Sequence, residues 1–369
     1  MITPRQRPAA KTLERIIVNA DDADAGIDDP QTQIDAVFTG SVYTNKGPHE
    51  CADALKLFNK PVSFATNYCA TGTDLIRLAT LSIAAGVYDT VLVVGYDKPK
   101  DRGVSGPTVV TDRVRDLPQT PAGWFSLAAA TYFEKYGASR ADLAKIAIKN
   151  HANGCLAEKS FLKRKITEDD YFKARIISWP FGLYDSAAQT DGAAAAILTR
   201  TELASRYSKQ PIKIKGVTVR AGPNPQKDPK NDFLSWKPTA WARDDVYEMA
   251  GITNPRAQIG IAQVHDCFSL TELLTYEDLG FCEKGSAKEH IASGDFELTG
   301  SLPVNTDGGL KTFGHPTGAT GVRMIYENVL QLRGKAGARQ VPGVEGKLAV
   351  SHNIGGHPTA CGIAVLGRD

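Results

Sequence analysis

Apolar residues along the chain fall into two patterns. Short β-branched runs, apolar on both faces, read as buried parallel strands at 34–38, 90–94, 193–198, 259–264, 348–350 and 362–366. Between them lie stretches with apolar residues near helical spacing. Residues 12–25 form one such stretch and stop at Gly26. Residues 73–85 are apolar almost all round and stop at Gly86, and residues 321–332 end at Arg333-Gly334. Glycine after a helical run caps it, because a residue without Cβ enters the left-handed region at little cost. Strands alternating with helices predict an α/β fold with mainly parallel sheets.

The same plan occurs twice. In the first half, strand 34–38 leads to a loop, residues 67–72 (Asn-Tyr-Cys-Ala-Thr-Gly) open a buried helix, and strand 90–94 follows. In the second half, strand 259–264 leads to a loop, residues 313–318 (Phe-Gly-His-Pro-Thr-Gly) open a buried helix, and strand 348–350 follows. This predicts a duplicated domain in which Cys69 and His315 take equivalent places and meet near a pseudo-two-fold axis. Residues 98–184 interrupt the plan. They carry Pro107, Pro118 and Pro121 and two helical stretches at 124–136 and 140–150, and read as an inserted cap over the active end of the sheet. Residues 223–241, rich in Pro, Asn, Asp and Lys, read as a surface loop joining the halves. The expected division is 1–97 with 185–222 as the first half, 98–184 as the cap, and 223–369 as the second half.

Composition narrows the function. The 42% hydrophobic and 23% charged fractions are those of a globular protein with a large core. A net charge of +2, from 43 basic and 41 acidic residues, argues against nucleic-acid or membrane-surface binding, which needs a basic excess. The short cluster of Lys159, Lys163, Arg164 and Lys165 fits a solvated helix end. No run approaches the roughly 18–20 apolar residues of a membrane span, and residues 1–11 lack the apolar core of a secretory signal. Six cysteines without a CxxC pair suggest free thiols rather than a disulfide or zinc framework. A cytoplasmic location is expected.

Four groups carry reactive chemistry. Cys69 precedes a helix whose unpaired amides and dipole favour thiolate, the alternative being a packed structural cysteine. His315, in Gly314-His315-Pro316, is of the type that deprotonates a catalytic thiol; a capping or core histidine is the bland alternative. The turn Asn305-Thr306-Asp307-Gly308-Gly309 looks placed to aim it. His265-Asp266-Cys267-Phe268 follows a buried strand, where α/β sheets place their sites. There Cys267 can serve as acid and base on carbon and His265 can donate to an enolate oxygen, or the thiol is incidental to a strand-end loop. His352-Asn353-Ile354-Gly355-Gly356 follows another strand, and its glycines let amides converge as an oxyanion hole. No group is diagnostic alone; their order and spacing are.

Together these residues resemble the thiolases. Cys-Ala-Thr-Gly at 69–72, His-Asp-Cys-Phe at 265–268, Gly-His-Pro at 314–316 with Gly-Ala-Thr-Gly at 318–321, and His-Asn-Ile-Gly at 352–355 are similar to the four active-site loops of that superfamily. Thr190-Asp191-Gly192-Ala193-Ala194-Ala195 is similar to a further thiolase stretch. The His-Asp-Cys-Phe and His-Asn forms resemble the sterol-carrier-protein-type branch. The resemblance runs from about residue 12 to the C-terminus and implies the duplicated five-layer αβαβα fold with an inserted loop domain that binds CoA. It implies Cys69 as the acyl-carrying nucleophile and His315 as its activator. Cys267 would move the α-carbon proton and His265 would line the enolate hole. The Cys69 amide and that of Gly355 or Gly356 would hold the tetrahedral oxyanion. Asn353 stands where many thiolases have cysteine, leaving Cys267 for that task, while Cys361 reads as structural. Against the family pattern, the usual first strand is missing, and no fused sterol-carrier domain follows Asp369.

The expected activity is thiolysis of a 3-oxoacyl-CoA or the reverse Claisen condensation, in fatty-acid or steroid metabolism. A retro-aldol lyase on a steroid-type side-chain acyl-CoA is the alternative, and a non-catalytic lipid-transfer or scaffold protein a third reading. Coenzyme A enters as substrate, with no metal or redox cofactor called for. The resemblance implies a homodimer or a dimer of dimers, with room for a zinc-ribbon/OB-fold accessory subunit. Trp124, Phe125, Tyr132, Phe133, Trp179, Phe181 and Tyr184 either line a pocket for a bulky acyl group or form ordinary cap core.

Overall fold

The computed structural model describes residues 16–19, 27, 29–43, 48–100, 110–111, 118–225 and 227–368. Nine strands make one continuous sheet. In chain order they are β1 (Ile16–Asn19), β2 (Ala36–Gly40), β3 (Val62–Phe64), β4 (Thr90–Asp97) and β5 (Gly192–Arg200). They continue with β6 (Ile212–Ala221), β7 (Ile259–Gln263), β8 (Leu348–Gly355) and β9 (Ala360–Gly367). Their spatial order is β7-β8-β9-β6-β1-β5-β4-β2-β3. Pairing is parallel for β3–β2, β2–β4 and β7–β8, and antiparallel elsewhere.

The order is the same on both sides of the β1–β6 junction. Outward from the junction, the first half runs β1, β5, β4, β2, β3, and the second runs β6, β9, β8, β7. A parallel bridge between Ala262 and Val304 continues the second half where β3 stands in the first. The duplication read from the sequence is therefore a property of the sheet. Residues 185–222, grouped above with the first half, contribute β5 to that half. They also contribute β6, which takes in the second half the place of β1.

Three expectations change. Of the proposed helix at 12–25, residues 12–15 and 20–25 lie outside the described residues, and 16–19 are a strand bonded to β5 and β6. The first strand is present. Ile16-Ile17-Val18 is β-branched, and sheet pairing on both edges overrides an apolar spacing that could also suit a helix. Second, the runs at 193–198 and 362–366 are antiparallel. An apolar run reports burial on both faces, which any central strand shares, and carries no direction. Strand β6 was not expected, because Ile212-Lys213-Ile214-Lys215 alternates and leaves only every second residue buried. Third, the joining loop ends early: Leu234 and Trp236 are buried, and a helix begins at Lys237.

Seven helices matter for the site. They are α1 (Thr71–Ala84), α2 (Pro121–Tyr136), α3 (Arg140–Gly154), α4 (Lys237–Ala250), α5 (Ser269–Asp278), α6 (Gly309–Phe313) and α7 (Thr320–Leu332). Helix α1 packs on β2, β4 and β5 and also touches β6 and β9. Helix α7 packs on β7 and β8 and also touches β4 and β5. The two therefore lie between the half-sheets, which explains why both are buried nearly all round. Helix α4 covers the outer face of β6 and β9. The cap helices α2 and α3 pack on α5, sharing one core with the second half. No described helix is long and apolar enough to cross a membrane.

The central helices meet at glycine. A Cβ on Gly72 would stand 2.8 Å from the backbone nitrogens of both Gly321 and Val322, and one on Gly321 would stand 2.6 Å from Asn353 Oδ1. Both glycines are the second residue of their helix, in the matching sequences Cys-Ala-Thr-Gly at 69–72 and Gly-Ala-Thr-Gly at 318–321. Aligned this way, Cys69 corresponds to Gly318, and His315 lies three residues further out. The two reactive residues are thus equivalent in topology and offset in register. We expect Gly72→Ala or Gly321→Ala to cost about 1–3 kcal/mol or more by overpacking. Thermal unfolding should detect this as a lowered midpoint, with a larger fractional loss of activity than of folded protein.

Candidate active site

Cys69 sits in a tight turn ahead of α1. Thr71 Oγ1 accepts from the Asn67 amide at 2.7 Å and donates to the Tyr68 carbonyl at 2.6 Å, folding the chain back before the helix. Tyr68 consequently has φ of 48°, a left-handed conformation that costs energy for a residue with a side chain and is found often at functional sites. The amides of Cys69 itself and of Gly356 both point at the Cys69 sulfur. Gly356 has φ of 65°, and Tyr68 packs 3.4 Å from where its Cβ would stand.

His315 Nε2 is 3.3 Å from Cys69 Sγ. Its tautomer follows from its other neighbour. Thr320 Oγ1 donates to the Pro316 carbonyl at 3.1 Å and so accepts from His315 Nδ1–H at 2.7 Å. The Nε2 lone pair is then left for the Cys69 proton. His265 is set the opposite way. Asn353 Oδ1 accepts from the Thr73 hydroxyl at 2.9 Å, which turns Asn353 Nδ2 toward His265 Nδ1 at 3.3 Å. With the amide in this orientation the His265 proton sits on Nε2, as a donor. The His265 and His315 rings meet edge to face at 5.4 Å. One ring accepts a proton and its neighbour offers one.

Strand β8 supplies the supports. It runs on through Gly355, so His352 and Asn353 are strand residues with side chains on opposite faces rather than loop residues. His352 Nδ1 accepts from the His265 amide at 3.4 Å, and its Nε2 meets Thr239 Oγ1 at 3.0 Å. Asn353 is fully buried and spends both ends of its amide on Thr73 and His265, so its part is to hold His265. Gly355 packs 2.6 Å (from its notional Cβ) against the Asn67 carbonyl, leaving Gly356 as the glycine whose amide reaches the sulfur.

Cys267 lies on the same site, close enough for its charge to raise the proton affinity of Cys69. Its thiol lies 3.5 Å from Thr271 Oγ1, and burial pushes its pKa up to about 12. Beside it, Asp266 turns away. Its carboxylate accepts from the Leu310 amide at 2.6 Å, the Lys311 amide at 3.2 Å and Asn150 Nδ2 at 3.0 Å. The turn at 305–309 therefore serves the 265–267 segment, not His315: Asn305 Oδ1 accepts from the Val264 amide at 2.9 Å, and Gly309 clears Asp266. Buried Lys311 completes the anchor, donating to the carbonyls of Asp185 at 2.6 Å and Asp266 at 3.2 Å.

Burial, not the helix dipole, governs ionisation. The two amides favour a Cys69 thiolate, but burial, then Cys267 and then Asp97, push its thiol well above the ordinary value. Burial likewise pushes His315 and His352 down to about 3 and holds His265 well below its usual range. The resting pair is a neutral thiol beside a neutral imidazole. The helix entry and its amides favour thiolate as expected from the sequence, but burial outweighs them.

Four residues of the site were not foreseen. Thr73 and Thr320 are ordinary N-terminal helix residues by sequence; Thr73 acts through Asn353, 280 positions away, and Thr320 through His315, five positions away across the turn that opens the helix. Lys311 reads as a surface lysine until the cap encloses it. Asp97, an acid ending an apolar strand, carried the clearest signal. It is fully buried and binds the Ser41 hydroxyl, the amides of Val42 at 3.0 Å and Tyr43 at 2.8 Å, and, across the halves, the Gly318 amide at 2.5 Å. Of the cap aromatics, Trp124, Phe125, Tyr132 and Phe181 are buried. Phe181 stacks on Phe268 at 5.0 Å and Trp124 on His357 at 5.3 Å, so the cap braces both reactive segments. Trp179 is exposed, whereas Phe133 and Tyr184 are partly buried.

A thiol beside a histidine that can accept its proton, two amides converging on the sulfur and a second thiol, all set between duplicated halves, are the arrangement the thiolase resemblance implies. Comparison with known proteins agrees. Residues 225–368 match the model of the family described as Thiolase C-terminal domain-like. The chain is 32% identical over 355 residues to acetyl-CoA acetyltransferase of Methanothermobacter thermautotrophicus, covering 94% of this chain and 91% of that one. It is 31% identical over 353 residues to sterol carrier protein 2 of Gallus gallus, covering 90% of this chain and spanning 63% of that protein's length. Among solved structures, an Ltp2-ChsH2(DUF35) aldolase shares the fold, with a TM-score of 0.80, 22% identity, and 96% and 97% of the two chains covered. The chain belongs to the thiolase family of acyltransferases.

Two outcomes follow. The difference in thiolate ultraviolet absorbance between the wild type and Cys69→Ala should stay flat from pH 5 to 9, since neither Cys69 nor His315 changes protonation there; a rise below pH 7 would contradict the neutral pair. Thr320→Val frees the His315 tautomer and should lower kcat on the order of 10-fold or more, part of the 10²–10⁴ a positioned base contributes. Thr320→Ser should restore most of it.

Proposed function

We propose that the chain cleaves a 3-oxoacyl-CoA with coenzyme A, or runs the reverse condensation, through an acyl group carried on Cys69. The observation that carries this reading is the 3.3 Å contact of His315 Nε2 with Cys69 Sγ, in the tautomer that can take the thiol proton. As Cys69 attacks the 3-oxo carbon, its proton passes to His315, and the new oxyanion is received by the amides of Cys69 and Gly356. The bond between carbons 2 and 3 breaks, its electron pair going to the enolate of the departing acyl-CoA. His265 Nε2–H steadies the enolate oxygen and Cys267, a neutral thiol below about pH 12, supplies the proton to carbon. Coenzyme A then gives its thiol proton to Cys267 and takes the acyl group, and His315 returns its proton to Cys69. Coenzyme A is the only further reactant this chemistry requires.

The fold likeness to an aldolase does not favour a retro-aldol reaction here, because that reaction has no use for a nucleophilic thiol paired with a base. Assembly as a homodimer is part of the proposal: Leu55, Phe58 and Tyr68 are exposed around the short strand β3, which ends the sheet. The ChsH2(DUF35) component named with the aldolase neighbour supports an accessory subunit as a further part of the proposal. A cytoplasmic site of action in lipid or steroid breakdown fits the acyl-CoA chemistry.

The half-reactions separate the roles. Cys267→Ala should still exchange labelled coenzyme A into an acyl-CoA through Cys69, while losing cleavage of acetoacetyl-CoA by about 10²-fold or more. Cys69→Ala should lose both. Cleavage that persists in Cys69→Ala, or that proceeds without free coenzyme A, would sink the thiolase reading in favour of a lyase.

A further inference from the structure

The geometry points to a second capacity of this site: Cys69, His265 and His315 together form a three-ligand binding site for zinc or another thiophilic divalent cation, whose occupancy blocks the nucleophile. The three donor atoms, one sulfur and two ring nitrogens, all lie within 4.8 Å of one another. Ligands around a tetrahedral zinc, with Zn–S of about 2.3 Å and Zn–N of about 2.0–2.1 Å, stand roughly 3.3–3.7 Å apart. Cys69 Sγ and His315 Nε2 already have that spacing at 3.3 Å. The third donor has to come inward by about 1 Å. One sulfur and two imidazoles are a donor set that zinc takes with a fourth position left open to water.

The residues behind the rings suit such a site. A metal-bound imidazole holds its other nitrogen's proton against an acceptor, which fixes the ring and strengthens the ligand. His315 does so already, giving Nδ1–H to Thr320 Oγ1 at 2.7 Å. His265 needs its proton moved from Nε2 to Nδ1, and Asn353 can follow that move by turning its amide over. A half-turn of the Asn353 amide presents Oδ1 to His265 and Nδ2 to Thr73 Oγ1, and a hydroxyl accepts as readily as it donates. Charge is also favourable. Binding releases the Cys69 proton and leaves one net positive charge beside the sulfur, in reach of the Asp97 carboxylate. The nearby Arg323 guanidinium is already paired with Asp307. No electron changes hands: one S–H bond breaks, one metal–sulfur bond forms, and the proton goes to solvent.

Such a site does not appear in the spacing of cysteines and histidines, since its ligands come from positions 69, 265 and 315 and meet only through the fold. It is a closed form of the enzyme. Metal on Cys69 removes both the nucleophile and the lone pair that activates it. That inhibition depends on the acyl-transfer reading; the binding itself does not.

The test uses chelator-treated full-length chain titrated with Co²⁺ and, separately, with Zn²⁺ against a chromophoric zinc indicator. One equivalent of Co²⁺ should give a thiolate-to-cobalt charge-transfer band with visible bands of tetrahedral intensity. Prior alkylation by iodoacetamide, with Cys69 identified as the modified residue by peptide mapping and the fold checked by circular dichroism, should abolish the charge-transfer band, as should Cys69→Ala. His265→Ala should weaken Zn²⁺ binding at least 10-fold. One equivalent of Zn²⁺ should stop acyl transfer at least 10-fold, reversibly with chelator. Absence of the thiolate band, binding of equal strength after Cys69 alkylation, or unchanged affinity in His265→Ala would each overturn the proposal. Because the cobalt spectrum needs no substrate, failure of the thiolase reading would show in the acyl-transfer assay and leave the spectrum intact.

Discussion

Everything at the site depends on how closely two buried helices can approach. Helices α1 and α7 touch backbone to backbone at Gly72 and Gly321, with no room for a methyl group on either. Each carries a reactive residue just ahead of its first turn, so their separation is set by that crossing. One extra carbon at the contact would wedge the helix entries apart by more than a hydrogen bond tolerates. Around the crossing, Gly95 and Gly318 let the second half's entry loop lie against the ends of β2 and β4, where the Asp97 carboxylate catches the Gly318 amide. The fold spends its side-chain-free positions where two chain segments must nearly merge.

That closeness has an electrostatic consequence. Packing the two halves together buries the histidine rings and leaves the Cys69 and Cys267 thiols only partly exposed, and scarce water disfavours charge on any of them. The helix entry and two amides stabilise a thiolate less than burial destabilises it, so the nucleophile rests protonated next to a base that rests neutral. Charge then develops during reaction, where the amides of Cys69 and Gly356 and the Nε2–H of His265 already point. Preorganised donors of this kind cost no reorganisation when the oxyanion forms. Thr320 sets the tautomer of His315, and that of His265 follows the orientation of the Asn353 amide; both are neutral groups, which direct a proton without adding a charge to the site.

Much of this was legible in the sequence, for identifiable reasons. The duplicated plan, the buried helices with their glycine caps and the four reactive groups are local features, readable from spacing and residue type. Strand β1 was misread because four β-branched or polar residues at its place satisfy either element until two neighbouring strands claim them. Directions of β5 and β9 were invisible because burial carries no direction. The support residues escaped for a different reason: Thr73, Asn353 and Lys311 act across long sequence separations, as with the 280 positions between Thr73 and Asn353, and Thr320 reaches His315, five positions away, only through the turn that opens the helix. Asn353, which the sequence places in the oxyanion-hole segment at 352–356, spends both ends of its amide on Thr73 and His265, a contact that only the position of its side chain could reveal.

The central claim is that this crossing builds a nucleophile, and the covalent intermediate is its direct signature. Intact-protein mass spectrometry after mixing the chain with acetoacetyl-CoA, and with a bulkier 3-oxoacyl-CoA, measures it. The account predicts a mass increase of one acyl group on Cys69, discharged when coenzyme A is added. A folded protein that turns over substrate with no adduct, or with an adduct that survives Cys69→Ala, would contradict it.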